Sequence, residues 1–418
     1  MHGHEWWRGC LRTMLPLAPL VAIAMPAHAQ LGGPAGCASC VATDPVGLAD
    51  TAEPGSVLVF PRFAQGTATL DNGAIEPNTQ IEIAAVCPAP TPPTFTGATT
   101  SPQTCTPVNY EVEVHWVCPG ATVGQQNSVC QENSFEVFVS TYGKVVFNPN
   151  GLSGTPITAN GRITGVGALN SVSPAPQAPC ARGYAIAYVV NALLQPLANN
   201  VLIGDAVQRN NLGSGTNNDL QSYSALAIQA APNTNTPNPG DTGPLINTGT
   251  DPITGSATLP FDGQPNDYQM VTGQFYGDVR YNQDSPPGPF ADTALILLTL
   301  DVRSNLPNDT TTVLLDFYNQ NEVVLDDVAA SFDCWEQIQL TALDPNLTNT
   351  SMGTPNGVVV SGQAVNSSPL NQPSGFRTLL GLIQTSEGPT GGAPAGIRTY
   401  TVRPSNNSIP VPTFFTYN

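Results

Sequence analysis

The chain has 418 residues, with 12 basic and 30 acidic side chains and a net charge of −18. A surface this acidic repels nucleic acid and anionic lipid, which disfavours any protein that binds phosphate backbones. The 39 Gly and 41 Pro residues indicate many turns, and a hydrophobic content of 40% argues against global disorder. The composition therefore favours an all-β protein long enough for two or three domains.

Residues 1–29 have the pattern of an export signal. Arg8 and Arg12 precede an apolar run over 14–25, and a small-x-small cleavage site ends at Ala29. The apolar run is about a dozen residues long, whereas about 20 are needed to span a bilayer. We therefore expect cleavage near this site, no membrane span in the mature chain, and a periplasmic or extracellular location.

Signal cleavage would remove Cys10 and leave an even number of cysteines, which in an exported chain predicts disulfides. Two local pairings are attractive, Cys87 with Cys105 and Cys118 with Cys130, because each closes a short excursion between strands. On the chain-entropy model each would contribute about 3 kcal/mol. The eight disulfide candidates are Cys37, Cys40, Cys87, Cys105, Cys118, Cys130, Cys180 and Cys334.

The segment 30–54 lacks periodicity and is predicted to be an N-terminal arm. Its Cys37 and Cys40 form a Cys-x-x-Cys pair, a spacing found in redox sites and zinc knuckles. No helix is predicted after the pair, so we interpret these cysteines as structural disulfide partners that pin the arm to the body.

The clearest strand is 110–118 (YEVEVHWVC), in which apolar and polar side chains alternate with a period of two. We expect its apolar face to pack on a core. Its polar face carries Glu111, Glu113 and His115, and we expect the glutamates to be solvated and the histidine to be exposed or hydrogen-bonded. The segments 134–140 and 144–147 are predicted to form a hairpin.

Roughly sixteen strand candidates and no helical period predict paired antiparallel sheets. The run 294–298 is apolar on both sides, which indicates a central strand covered by a second sheet. A Pro/Asn/Gly-rich stretch at 231–256 is the best linker. The fold prediction is all-β, with two antiparallel β-sandwich domains (Ig-like or jelly-roll-like) at 55–230 and 257–418.

Catalysis by a nucleophile and a histidine would have to use His115, because signal cleavage leaves no other histidine. The sequence has no Gly-x-Ser-x-Gly elbow to pair with it, and one histidine with oxidised cysteines makes no zinc site. We therefore predict no catalytic residue, no metal site and no cofactor, although Asn/Asp-rich loops would suit a structural calcium ion.

A carboxylate pair beside aromatic rings would suit a glycan site. In the second domain Trp335, Tyr276 and Tyr281 are candidates for stacking on sugar rings. The candidate carboxylates are Asp278, Asp301, Asp316, Glu322, Asp326, Asp327, Asp333 and Glu336. No two of them have the spacing that places a pair on one strand face, so a glycan-binding protein or glycan hydrolase is the alternative interpretation.

Five phrases together resemble a group of exported bacterial proteins of unknown function. They are VLVFPRF at 57–63, WVCPG at 116–120, RGYAI at 182–186, LIGDAV at 202–207 and FYGDVRY at 275–281. The resemblance covers most of the mature chain. It implies an exported β protein and carries over no activity and no site residue.

The sequence thus favours an exported, non-enzymatic structural or interaction protein of the cell surface or extracellular space. We expect its partner to be a protein or glycan at the cell surface, bound through an edge strand or an aromatic loop. Self-association is compatible with the same architecture.

Overall fold

The computed structural model of the chain is almost entirely antiparallel β-sheet. It describes residues 53–66, 78–86, 108–119, 130–151, 176–210, 218–230, 244–251, 255–279, 290–300, 310–318, 324–344, 358–366, 378–388, 396–401, 410–411 and 413–417. These residues all belong to one compact unit, Gly32–Asn418. The predicted export signal, and most of the arm, lie outside the described residues.

The first half of the chain forms two sheets. Sheet I has the order β5-β2-β7-β8, and sheet II has the order β4-β3-β6-β1-β9. Their strands are β1 (Val57–Ala64), β2 (Asn78–Ala85), β3 (Asn109–Cys118), β4 (Gln131–Ser140), β5 (Lys144–Phe147), β6 (Arg182–Val190), β7 (Leu202–Asn210), β8 (Asn218–Ser224) and β9 (Leu226–Ile228).

Sheets I and II pack face to face. The ring of Trp116 on β3 meets that of Phe147 on β5, with centroids 5.7 Å apart. A Cβ atom on Gly204 of β7 would lie 2.7 Å from the Phe60 ring of β1, so the two backbones approach too closely for a side chain at that position. This layered contact is the arrangement expected of a sandwich.

The predicted hairpin between β4 and β5 is wrong. β4 pairs with β3 in sheet II, whereas β5 pairs with β2 in sheet I. Tyr142 has a φ of 62°, and this left-handed turn carries the chain from one sheet to the other. The two segments are strands, but they belong to different layers.

The second half forms sheet III (β17-β14-β19-β20), sheet IV (β13-β18-β15-β16), a small sheet β10-β11-β22 and a pair β12-β21. The elements are β10 (Gly249–Thr250), β11 (Ala257–Phe261), β12 (Val271–Thr272), β13 (Gln274–Val279), β14 (Phe290–Leu298), β15 (Thr311–Tyr318), β16 (Val324–Phe332), β17 (Trp335–Gln339), α1 (Leu340–Leu343), β18 (Val358–Asn366), β19 (Leu380–Gly388), β20 (Gly396–Thr401), β21 (Pro410–Val411) and β22 (Thr413–Tyr417).

Strand β14 lies inside sheet III and is covered on both faces, which confirms the prediction for 294–298. Leu295 and Leu297 belong to the core shared with sheet IV. Ile296 and Leu298 point the other way, into the core shared with sheets I and II. Because successive side chains leave a strand on opposite sides, this split shows that sheet III is an inner layer.

The two predicted domains meet across a continuous apolar core. The indole Nε1 of Trp335 on β17 donates a hydrogen bond to the Pro61 carbonyl of β1 at 2.7 Å. The hydroxyl of Tyr184 on β6 donates to the Thr299 carbonyl just after β14 at 3.4 Å. The division of the chain into two domains by a linker at 231–256 stays a prediction.

Two disulfides lie within the described residues, Cys118–Cys180 and Cys130–Cys334. The predicted Cys118–Cys130 pair is therefore wrong. Cys118 ends β3 and Cys180 lies just before the neighbouring strand β6, so strand pairing brings these two together. Four other candidates, Cys37, Cys40, Cys87 and Cys105, lie outside the described residues. Over the part of the chain that is described, no helix is long and apolar enough to cross a membrane.

Candidate functional site

Titratable side chains converge around His115, in the middle of strand β3. Its Nδ1 atom lies 2.5 Å from Oε1 of Glu132, and its Nε2 atom lies 2.8 Å from the hydroxyl of Tyr188. That hydroxyl donates to Oε2 of Glu113 at 3.0 Å. Since the hydroxyl has one proton and gives it to Glu113, Nε2 is the donor in the contact with His115. We call these four residues the His115 network.

The polar face of β3 is covered, so the expectation of solvated glutamates is wrong. Glu111 and Glu113 are buried, and His115 has no exposed surface. The rings of Phe415 and Tyr417, on strand β22, each lie 5.5 Å from the imidazole. The C-terminal strand therefore closes over this face, and His115 is the hydrogen-bonded strand histidine that was predicted as one option.

Burial dominates the electrostatics of the network. It raises the pKa of Glu113, an effect that the nearby His115 and the hydrogen bond from Tyr188 oppose. Burial, followed by the charge of Glu113, raises the pKa of Tyr188 well above that of a free phenol. Burial also raises the pKa of Tyr417 to about 12. Both phenols therefore keep their protons and remain hydrogen-bond donors.

The His115 network is a structural device, because no reactant can reach a histidine with no exposed surface. Satisfied buried polar groups fix the arrangement of the layers around them. The four residues lie on strands of sheet II, and the rings of Phe415 and Tyr417 pack against His115. Among the described residues, no group of three or more His, Cys, Asp or Glu side chains could hold a metal ion.

Two of the three predicted glycan-stacking residues lie on strands of different sheets. Trp335 is only 6% exposed and lies in sheet III, so it offers no free ring face to a sugar. Tyr276 lies on β13 of sheet IV, a different layer. Tyr281 lies outside the described residues.

Two of the predicted carboxylates are neighbours. Asp316 on β15 lies directly opposite Asp327 on β16 in sheet IV. Elsewhere, burial and the charge of Asp333 raise the pKa of Glu336 to about 7. Asp278 and Asp326 lie on strands of sheet IV, whereas the remaining two candidates, Asp301 and Glu322, lie outside the described residues.

Sheet IV presents an apolar surface that the sequence prediction missed. Leu314 (48% exposed), Val324 (47%) and Val359 (45%) stand on three of its strands. Tyr318 lies directly opposite both valines, so these three side chains form one row. We call this surface, together with Asp316 and Asp327, the outer face of sheet IV. The alternating burial of β15 separates it from the core side.

The outer side of sheet I is more polar than that of sheet IV. On the outer side of sheet I, Nζ of Lys144 lies 2.9 Å from Oε2 of Glu82. Asp205 accepts a hydrogen bond from Ser224 at 2.9 Å. Ile203, 41% exposed, is the large apolar side chain there. Sheet I therefore presents a polar surface with its own ion pair.

Comparisons with known proteins give little information about the function of this chain. No family model matches the sequence, and no curated protein matches it. Among solved structures, an inferred secreted protein from Parabacteroides distasonis is 9% identical, with a TM-score of 0.17, and the alignment covers 76% of this chain and 72% of that chain. Like the group that the sequence resembles, that neighbour is bacterial and described as secreted. At this TM-score the likeness carries no argument about fold or function.

Proposed function

We propose that this protein is an exported, non-enzymatic interaction protein that binds its partner on the outer face of sheet IV. The observation that carries the proposal is the row of Val324, Tyr318 and Val359, with Leu314 beside it, on one open sheet surface. Exposed apolar side chains grouped on one face are typical of binding surfaces. The two disulfides support export, because such bonds persist in oxidising compartments.

Charge complementarity selects a basic polypeptide as the partner. Asp316 and Asp327 stand next to the apolar row, and the whole chain carries a net charge of −18. A partner segment that alternates lysine or arginine with apolar residues would match both features. A second copy of this chain is a poorer match, because in a face-to-face dimer the two acidic side chains of each copy would lie opposite those of the other and repel them.

Defined peptides test this proposal with the mature protein. One peptide alternates lysine with leucine, a second alternates lysine with serine, and a third alternates serine with leucine. We expect only the lysine–leucine peptide to bind in surface plasmon resonance, and added NaCl to weaken that binding. Equal binding of the first two peptides would contradict the proposed apolar contribution.

A matched pair of variants locates the surface. Val359→Lys places a positive charge on the outer face of sheet IV, and Ile203→Lys makes the same charge change at similar exposure on sheet I. We expect Val359→Lys to weaken peptide binding by about tenfold or more and Ile203→Lys to leave it unchanged. A similar loss in both variants would mean that net charge alone drives the binding.

A glycan ligand is the second candidate. The hydroxyl of Tyr318 donates to Oδ2 of Asp316 at 3.3 Å, so an aromatic ring and a carboxylate lie together on the open face. Such a pair would suit stacking on a sugar with a hydrogen bond to its hydroxyls. A glycan array combined with a polysaccharide-hydrolysis screen tests it. Binding that Asp316→Asn abolishes, without peptide binding, would favour this candidate.

A further inference from the structure

Strand β16 lies at one end of sheet IV. In the order β13-β18-β15-β16 it pairs with β15, and no strand among the described residues pairs with its other edge. An edge strand presents a row of backbone N–H and C=O groups to which a further strand can bind. The edge of β16 is therefore a place where the backbone of another chain can extend the sheet.

The sequence of β16 leaves this edge open to pairing. Proteins commonly protect a long edge strand with lysine, with proline or with a bulge. β16 (VLDDVAASF) has neither lysine nor proline, and its register shift lies at one end, between Val324 and Asp326. The stretch 326–332 is therefore a regular edge strand.

Within this regular stretch the exposed side chains are small or acidic. Asp327, Ala329 and Ser331 are exposed. Ala330 and Phe332 point the other way, into the core shared with sheet III. Small side chains next to an edge leave its backbone accessible to a second chain.

Rows of side chains cross the outer face of sheet IV and end at β16. Leu314 on β15 lies opposite Ala329, and Asp316 lies opposite Asp327. A strand added beside β16 would lengthen each row by one residue, because directly opposite side chains on one face are neighbours. Its residue beside Ala329 would continue an apolar row. Its residue two positions away, beside Asp327, would continue an acidic row.

We propose that the partner binds as an extended strand paired with the edge of β16, with an apolar and a basic residue two positions apart on the side of the outer face. This mode of binding rests on the proposed function and specifies how the basic partner is held. Backbone hydrogen bonds along the edge supply affinity, and alternate side chains supply specificity. A second copy of this chain is disfavoured as the added strand, since two chains of net charge −18 repel each other.

Two peptides of equal composition test the side-chain pattern, with the mature protein in surface plasmon resonance. Repeats of Leu-Ser-Lys-Ser place leucine and lysine on the same face of a strand, whereas repeats of Leu-Lys-Ser-Ser place them on opposite faces. We expect the same-face peptide to bind more tightly by about tenfold or more, because only it matches both rows.

N-methylation of the same-face peptide separates strand pairing from docking on the sheet face. In an added strand, alternate amides point toward β16 and away from it. Methylation of one alternate set should therefore weaken binding by about tenfold or more, and methylation of the other set should leave it nearly unchanged. Hydrogen exchange over β16 should also slow when the peptide binds, while exchange over β8, the end strand of sheet I, should not.

Charge reversal supplies a matched pair of variants. Asp327→Lys should weaken binding of the same-face peptide by about tenfold or more, because the two cations would then lie side by side. Asp205→Lys makes the same charge change at an exposed carboxylate of sheet I and should leave the binding unchanged.

Three outcomes would overturn the proposal. The first is equal binding of the same-face and opposite-face peptides. The second is an equal effect of the two methylated sets. The third is a dimer in sedimentation velocity whose formation slows exchange over β16, since a second copy would then occupy the edge. In the first two cases the proposed function still stands, because peptide is bound. Absence of binding by every peptide, including the lysine–leucine peptide, would refute the proposed function as well.

Discussion

Removing one hydroxyl from the His115 network should destabilise the protein strongly. Tyr188→Phe keeps the ring but deletes the oxygen that accepts from His115 and donates to Glu113. Both partners would be left in a site without solvent, and each unsatisfied group costs about 1–3 kcal/mol. Because Glu113 still lies 3.5 Å from the imidazole and regains part of that loss, we expect a net loss of about 2–4 kcal/mol.

Tyr184→Phe is the matched control for Tyr188→Phe. Both tyrosines lie on β6 and both are fully buried. The Tyr184 hydroxyl makes one long contact, 3.4 Å to the Thr299 carbonyl, so its removal should cost under about 1 kcal/mol.

Urea unfolding followed by circular dichroism measures the difference between these two variants, from the shift in midpoint at unchanged slope. A loss in Tyr188→Phe no larger than that in Tyr184→Phe would refute the structural role of the network.

Two further predictions concern the cross-links and a buried acid. Replacing Cys118 and Cys180 by alanine opens a loop of 62 residues, so urea unfolding should show a loss of about 4 kcal/mol in the free energy of unfolding. Replacing Cys130 and Cys334 opens a loop of 204 residues and should cost about 5 kcal/mol. A loss under about 1 kcal/mol in either variant would contradict the entropic argument. Glu336→Gln removes a carboxyl whose folded pKa, about 7, exceeds its unfolded value, so wild-type stability should fall as pH rises from 4.5 to about 7. The variant should lose part of that slope, worth about 1 kcal/mol after solvent screening, and equal slopes in thermal melts would contradict the prediction.

Local pattern predicted the strands well because strand formation depends on neighbouring residues. The segment predicted at 110–118 is β3 (Asn109–Cys118), and that at 134–140 lies in β4 (Gln131–Ser140). The run at 294–298 is apolar on both faces, and this pattern predicted a strand covered on both sides, since only an inner strand buries both of its faces. These signals are periodicities within a few residues.

The burial of the His115 network could not be read from β3 alone. Its cover comes from β22 (Thr413–Tyr417), about 300 residues further along the chain, a segment that was not predicted to be a strand. The alternation in β3 is the same whether its polar face meets water or Phe415. Only the long-range contact decides between those environments.

The predicted pairing of Cys118 with Cys130 was wrong for a related reason. Short spacing favours Cys118 with Cys130 in an unfolded chain, because closing a short loop costs little entropy. In the folded chain the pairing of β3 with β6 brings Cys180 to Cys118 instead. Cys130 is bonded to Cys334, which lies just before β17. Loop length describes the unfolded state, whereas geometry selects the bond.

The order of the layers supports the proposal that a partner binds the outer face of sheet IV. Strands β1 of sheet II and β14 of sheet III are covered on both sides, since β1 is buried throughout and β14 contributes to two cores. Sheets I and IV both present exposed side chains on one face. Sheet I carries the Lys144–Glu82 ion pair, whereas sheet IV carries an apolar row next to Asp316 and Asp327. Sheet IV also rests on sheet III, which the Cys130–Cys334 bond ties to sheet II. A binding surface on such support needs little ordering when a partner arrives, and that lowers the entropic cost of association.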